Sequence, residues 1–215
     1  MLRRMLAVPA VLATVLITAF VSAPAATAAA DQAARPYSAA DRRHQGVGDN
    51  VIRIRATRKP GLIRFTHDGA SNFIVHTLDR KGRVSEYLVN EIGRYDGTVL
   101  YNGHHSREVA AVSIRADGHW TATFMPVGKA RCWCKATISG RGDQVLRLSP
   151  TGGLRTMRAA HTGRSNFIVH GYTRIGDFPD LLVNRIGRYR GKVVLPSGTR
   201  LVTVKADGAW TLTRR

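Results

Sequence analysis

The feature that most constrains this chain is a repeat of itself. Ser71-Asn72-Phe73-Ile74-Val75-His76 returns 94 residues later as Ser165-Asn166-Phe167-Ile168-Val169-His170. At the same offset Leu88-Val89-Asn90 returns as Leu182-Val183-Asn184, and Ile92-Gly93-Arg94-Tyr95 as Ile186-Gly187-Arg188-Tyr189. Gly48-Asp49 and Val51 likewise reappear as Gly142-Asp143 and Val145. The closing Ala116-Asp117-Gly118 and Trp120 come back only 90 residues on, at Ala206-Asp207-Gly208 and Trp210. Four residues are therefore missing from the second copy, between the counterparts of Tyr101 and Val109. One structural unit has been used twice.

Within each unit the apolar residues come in runs of four to eight, rich in Val, Ile, Thr and aromatics. In the first copy these runs are 51–55, 62–67, 73–78, 87–91, 98–101, 109–116 and 120–124. In the second they are 145–148, 167–172, 181–185, 192–195, 201–205 and 210–213. Turn residues such as Lys59-Pro60-Gly61, Asp96-Gly97, Asn102-Gly103 and Asp117-Gly118 separate them. No segment holds a helical period for three turns. The pattern predicts an all-β fold of two tandem antiparallel β-sandwich, jelly-roll-like domains. The expected layout is repeat 1 over 48–126, a basic connector over 127–141 and repeat 2 over 142–215. A unit of this size buries only about 60–65% of its unfolded surface, so contact between the copies would help it.

The chain begins with Arg3 and Arg4, an apolar run from Met5 to Val21, and small-residue exits at Ala26-Thr27-Ala28 and Ala28-Ala29-Ala30. This three-part pattern reads as a secretory signal peptide over 1–30. Residues 31–47 then read as a flexible lead-in. Extracellular or cell-wall localisation follows, with no transmembrane segment left after cleavage. The net charge of +19 becomes +17 once Arg3 and Arg4 are removed. A surface this basic attracts acidic partners, here an anionic cell-wall polymer, a glycan or another extracellular polyanion. No specific nucleic-acid motif is present.

Residues that look chemical each have a plain structural reading. Ser71 and His76 would lie about 16 Å apart on an extended strand, too far for proton transfer. His67, returning as His161, is a candidate base without a nucleophile elbow beside it. Trp120 and Trp210, each two residues after an Asp-Gly turn, read as core aromatics. Tyr95, in a corner with glycines on both sides, reads as a buried ring whose hydroxyl finds backbone, with a sugar-stacking tyrosine as the functional alternative. Asp49, Asp117 and Asp143 are too isolated in sequence to assemble a calcium site by themselves, and no cofactor motif is present. Cys132 and Cys134 are the only cysteines, and secretion makes a disulfide between them the default.

One difference between the copies points to binding. Around the glycine corner the first copy has Glu91, Arg94, Asp96 and Thr98, where the second has Arg185, Arg188, Arg190 and Lys192. With Arg174 and Arg200 these form a candidate anion-binding edge, since clustered arginines suit phosphate or carboxylate groups.

The set of motifs resembles a repeat found in secreted actinobacterial proteins. It comprises the Gly-Asp opening, the His-x-Gly turn before Ser-Asn-Phe-x-Val, Leu-Val-Asn, the Gly-x-Tyr-x-Gly corner and the closing Ala-Asp-Gly-x-Trp. The order is also similar, at the level of fold, to small β-sandwich accessory domains of secreted peptidases. The resemblance implies a secreted β-sandwich module and carries no catalytic residue to this chain. The expectation is a non-catalytic binding or surface-associated protein. A secreted hydrolase using a histidine and a purely structural spacer are the alternatives.

Overall fold

The computed structural model describes residues 42–104, 107–153 and 155–215. The expected signal peptide and residues 31–41 of the lead-in lie outside them. Among the described residues seventeen strands follow in order. Those of the first copy are β1 Arg42–Val47, β2 Asn50–Thr57, β3 Gly61–His67, β4 Asn72–Leu78, β5 Val84–Ile92, β6 Tyr95–Tyr101, β7 Val109–Arg115 and β8 His119–Met125. A 3-10 turn at Val127–Lys129 and a two-residue strand, β9 Arg131–Cys132, lead on. The second copy has β10 Thr137–Arg141, β11 Gln144–Arg147, β12 Arg155–His161, β13 Asn166–Tyr172, β14 Asp180–Ile186, β15 Tyr189–Leu195, β16 Leu201–Ala206 and β17 Ala209–Arg214.

The fold is all-β, as the alternation requires. The first copy forms two four-stranded antiparallel sheets, β1-β8-β3-β6 and β2-β7-β4-β5. The second repeats that order as β10-β17-β12-β15 and β14-β13-β16-β11, with β9 added in parallel beside β11. Each is a jelly-roll sandwich: neighbours in a sheet are distant in sequence, and the chain crosses between sheets at almost every turn. The hexapeptide strands β4 and β13 lie inside their sheets, with Phe73, Val75 and Thr77 buried on one face. Both sandwich cores are built on matched aromatics. Phe73 and Trp120 of the first correspond to Phe167 and Trp210 of the second, joined by Phe65 in the first core and by Met157 in the second.

Two boundaries differ from the sequence reading. Residues 42–47 are not lead-in but the edge strand β1, paired with β8 along its full length. Residues 127–141 are not merely a connector. Their last five form β10, the counterpart of β1, and Trp133 is buried in the second core. The Trp133 backbone N–H donates to the Arg147 carbonyl at 2.7 Å, and the Arg214 guanidinium lies 5.0 Å over its ring. Cys132 and Cys134 flank it and are joined by a disulfide, with Cα atoms 5.3 Å apart.

The two sandwiches are not independent. Leu62 and Leu100 of the first copy form a third apolar cluster with Ala130, Val145, Tyr172 and Leu201. Tyr95 donates its hydroxyl to Asp143 Oδ2 at 2.9 Å, and the Thr98 N–H reaches the Asp143 carbonyl at 2.9 Å. Lys205 pairs with Glu91 at 3.7 Å. Gly103, just after β6, serves the same junction, its carbonyl accepting the Gly176 N–H at 2.8 Å. Among the described residues no helix is long and apolar enough to cross a membrane.

Candidate anion-binding face

Sheet register decides which charges meet. In the second copy, Lys192 on β15 lies opposite Arg158 on β12, which lies opposite Thr213 on β17, which lies opposite Thr137 on β10. The adjacent outward row is Arg190, Ala160, Thr211 and Ser139. The intervening residues Met157, Ala159 and Leu212 point into the core, as the two-residue period demands. The outer face is therefore polar, and its hydroxyls are paired. Thr137 and Thr213 hydroxyls bond at 3.0 Å, and those of Ser139 and Thr211 at 2.9 Å. Arg158, Arg190 and Lys192 are exposed beside this hydroxyl ladder. Among the described residues no carboxylate forms an ion pair with any of the three.

The first copy shows what the same scaffold does with other residues. Its two outward rows are Thr98, Arg64, Thr123 and Arg43, then Asp96, Thr66, Thr121 and Gln45. Thr66 and Thr121 again bond, at 2.7 Å. Here, however, Asp96 holds Arg64 in a forked pair, with Nε and Nη2 both within 3.2 Å of its carboxylate. Replacing Asp96 by Arg190 at the equivalent position removes that neutralisation and adds a charge. An exposed pair contributes little stability, so either set is tolerated by the fold.

The structure does not bring all six sequence-predicted cations together. Arg190 and Lys192 share the face. Arg185 and Arg188 stand at the glycine corner, where the Arg185 guanidinium lies 6.0 Å over the Tyr189 ring and donates to the Asn184 carbonyl at 3.1 Å. Arg174 follows β13, and Arg200 N–H donates to the Tyr172 carbonyl at the end of that strand. The corner meets β13 at its start, where Asn166 pairs with Ile186. The strand is about 20 Å long, so Arg174 and Arg200 are remote from the corner pair. Sequence reasoning missed Arg158, although its counterpart Arg64 lies at the same 94-residue offset. It also missed Arg141, outward on β10 after Thr137 and Ser139. Arg141 opens onto a groove of about 610 Å³ between the copies, shared with Arg64, Lys129, Arg131 and Asp96.

The histidines considered as bases are interior fittings. The His67 side chain is fully buried, and its Nδ1 donates to the Gly93 carbonyl at 2.8 Å. Its Nε2 lies 3.2 Å from Asp117 Oδ1 without the alignment of a hydrogen bond. His161 repeats this with the Gly187 carbonyl at 2.9 Å and Asp207 at 3.2 Å. Asp117 Oδ2 accepts the N–H groups of Ala70 and Ser71, which fixes the turn ahead of the hexapeptide. His76 and His170, half-buried on β4 and β13, are held below the usual imidazole range by burial, with His104 adding to the effect on His170.

The aspartates weighed as calcium ligands are engaged by backbone donors. Asp49 Oδ1 accepts the Ala116 N–H at 3.0 Å, and Asp143 Oδ1 the Ala206 N–H at 2.9 Å. Among the described residues no group of three acidic, histidine or cysteine side chains is placed to hold a metal. No protein-family model and no curated protein matches this chain. Among solved structures, a turret protein of Sulfolobus turreted icosahedral virus aligns over 81% of this chain and 97% of its own. The identity is 13% and the TM-score 0.23.

Two sets of carboxylates are shifted in opposite directions, which gives a pH signature. Burial raises the Asp143 carboxyl, opposed by the Ala206 N–H and the Tyr95 hydroxyl, and burial also raises Glu86 and Glu91. The Ser71 N–H leads the groups that lower Asp117. In Asp207 burial acts upward but is outweighed by the N–H groups of Arg164 and Ser165. A raised acid binds its proton more tightly when folded, so stability falls as pH rises from the unfolded value through the folded one. A lowered acid contributes stability above its unfolded value, and that contribution is lost as pH falls through the folded value. The melting temperature should therefore fall as pH drops below about 4, where the lowered acids take up protons. Between about pH 4 and 7 the raised acids pull it down as pH rises while the lowered His76 and His170 pull it up, so its slope there should be shallower than on the acid limb. Thermal melts from about pH 2 to 8 test this, and a melting temperature unchanged between about pH 4 and 2 would contradict it.

Proposed function

We propose that this is a secreted, non-catalytic binding protein that holds an extended polyanion, such as an anionic cell-wall polymer or an acidic glycan, across the outer face of its second sandwich. The observation that carries the reading is the pair of equivalent positions Asp96 and Arg190. One copy neutralises the face arginine and the other leaves three cations beside a ladder of hydroxyls. Guanidinium groups hold phosphate, sulfate or carboxylate in forked pairs, and the hydroxyls add neutral hydrogen bonds along a chain of repeating units. Arg141, Arg131 and Lys129 extend the positive surface from the face toward the groove between the copies. Against a histidine hydrolase stand the sealed side chains of His67 and His161, which no substrate reaches.

The test writes the first copy's residues into the second, as Arg190→Asp with Lys192→Thr. The new aspartate would pair with Arg158 as Asp96 pairs with Arg64, so all three cations are removed or neutralised. Stability should stay within about 0.5 kcal/mol of the parent. On heparin and polyphosphate, affinity at low salt should fall about tenfold or more, and the dependence of log affinity on log salt should become shallower by about two. The reciprocal change, Asp96→Arg with Thr98→Lys, should strengthen binding. If the first variant elutes from heparin at the parent's salt concentration, this face is not the site.

A further inference from the structure

The junction between the two sandwiches is made by one copy's glycine corner and the next copy's opening turn. Because the chain is a repeat, each half of that junction has a counterpart in the other copy, where no described residue repeats the contact. In the internal junction Asp143 uses Oδ1 for the Ala206 N–H and Oδ2 for the Tyr95 hydroxyl. At the open end of the first copy Asp49 uses Oδ1 for the Ala116 N–H, the same bond, and no described residue occupies Oδ2. At the open end of the second copy Tyr189 is the counterpart of Tyr95, and its hydroxyl has no partner among the described residues. Two of the apolar positions match as well, although Leu62 gives way to Thr156 and Leu201 to Ala111. Leu100 and Val145 are 8% and 2% exposed inside the junction, whereas their counterparts Val194 and Val51 are 55% and 50% exposed.

One element of the junction is inverted. Inside, Glu91 faces Lys205 at 3.7 Å. The counterpart of Glu91 is Arg185, and the counterpart of Lys205 is the exposed Arg115. Two molecules stacked head to tail in the internal geometry would place Arg185 of one against Arg115 of the next. Two like charges at that separation repel, and burial in the contact would strengthen the repulsion. A contact of this type does not close on itself unless its rotation happens to complete a ring, so it would otherwise grow into a filament.

We propose that the two ends of this protein are complementary halves of a head-to-tail interface whose partner is a second copy of the same chain, and that Arg185 facing Arg115 is the charge guard that keeps copies apart. The guard accounts for a substitution that the polyanion face does not use. Arg185 lies at the corner with Tyr189, away from the row of Arg158, Arg190 and Lys192.

The experiment is a charge swap on the purified protein, followed by light scattering coupled to size-exclusion chromatography over a wide range of concentration. The parent should stay monomeric. Arg185→Glu should restore the Glu91–Lys205 pattern between molecules, and its mean mass should rise with concentration. Arg115→Glu should do the same from the other side, so a folding defect in either variant leaves the other as the test. Combining both changes should return the protein to a monomer, because two carboxylates then face each other. Adding Tyr189→Phe to Arg185→Glu should weaken association by removing the hydroxyl that makes the tyrosine–aspartate bond. Monomeric behaviour of both single variants, association of the double variant, or a parent that already polymerises would each overturn the proposal. Heparin affinity is read separately, so failure here leaves the polyanion reading standing.

Discussion

Trp210→Ala should destabilise the protein by about 3–5 kcal/mol, as expected for truncating a fully buried aromatic. The indole is 2% exposed and sits among Phe167, Met157 and Leu212 in the second core. It crosses directly over Gly140 in the edge strand β10, where any β-carbon would collide with the ring. Its Nε1 donates to the Gly142 carbonyl at 2.9 Å, so the deletion also removes that partner from the carbonyl. Trp120 repeats the arrangement over Gly46, with its Nε1 on the Gly48 carbonyl at 2.9 Å. Trp120→Ala should therefore fall in the same range. Urea unfolding followed by far-UV circular dichroism measures both. A loss below about 1 kcal/mol, near the range of surface substitutions, would mean that the ring is not a core element.

These tryptophans also show what sequence could and could not reveal. The strand series was legible because Asp-Gly turns and alternating apolar residues punctuate it, and the duplication doubled every signal. The edge strands β1 and β10 were not. Arg42 to Val47 is mostly polar because only one side of an edge strand meets the core, and its residues read as solvent-facing loop. The available clue was Gly46 with Gly140, again 94 apart, each needed where a tryptophan crosses. Strand β12, Arg155-Thr-Met-Arg-Ala-Ala-His, carries little strand signal, because it has no β-branched apolar residue and two of its core positions are a methionine and an alanine. That weak signal hides Arg158.

The candidate site was legible as a difference between copies, but its membership was not. Arg185, Arg188, Arg190 and Lys192 are close in sequence, yet a left-handed glycine, Gly187 at φ +80, turns the chain between the first of them and the strand. Neighbours on the face come from β12 and β10, which only the sheet order supplies. Tyr95 was expected to bury its ring, and does, but its hydroxyl bonds a carboxylate of the other copy. No pattern within one repeat encodes a contact between two.

The histidine replacements His67→Ala and His161→Ala should each cost about 2–4 kcal/mol, combining a cavity with a broken buried hydrogen bond. Each ring is stacked on the hexapeptide phenylalanine, at 4.5 Å and 10° for His67 on Phe73, and at 4.7 Å and 7° for His161 on Phe167. Each ties together three segments that are distant in sequence. The histidine ends β3 or β12, its Nδ1 proton goes to the corner glycine carbonyl, and its Nε2 faces the aspartate of the closing turn. That aspartate in turn holds the N–H groups ahead of the hexapeptide. Removing the ring leaves the Gly93 or Gly187 carbonyl without this donor and loosens the turn that positions β4 or β13. A structural role predicts similar losses in both copies and no change in heparin affinity at temperatures well below the melt. A catalytic role for one histidine predicts the opposite, a nearly unchanged melting temperature in that variant alone. Thermal melts of the two variants side by side decide between them.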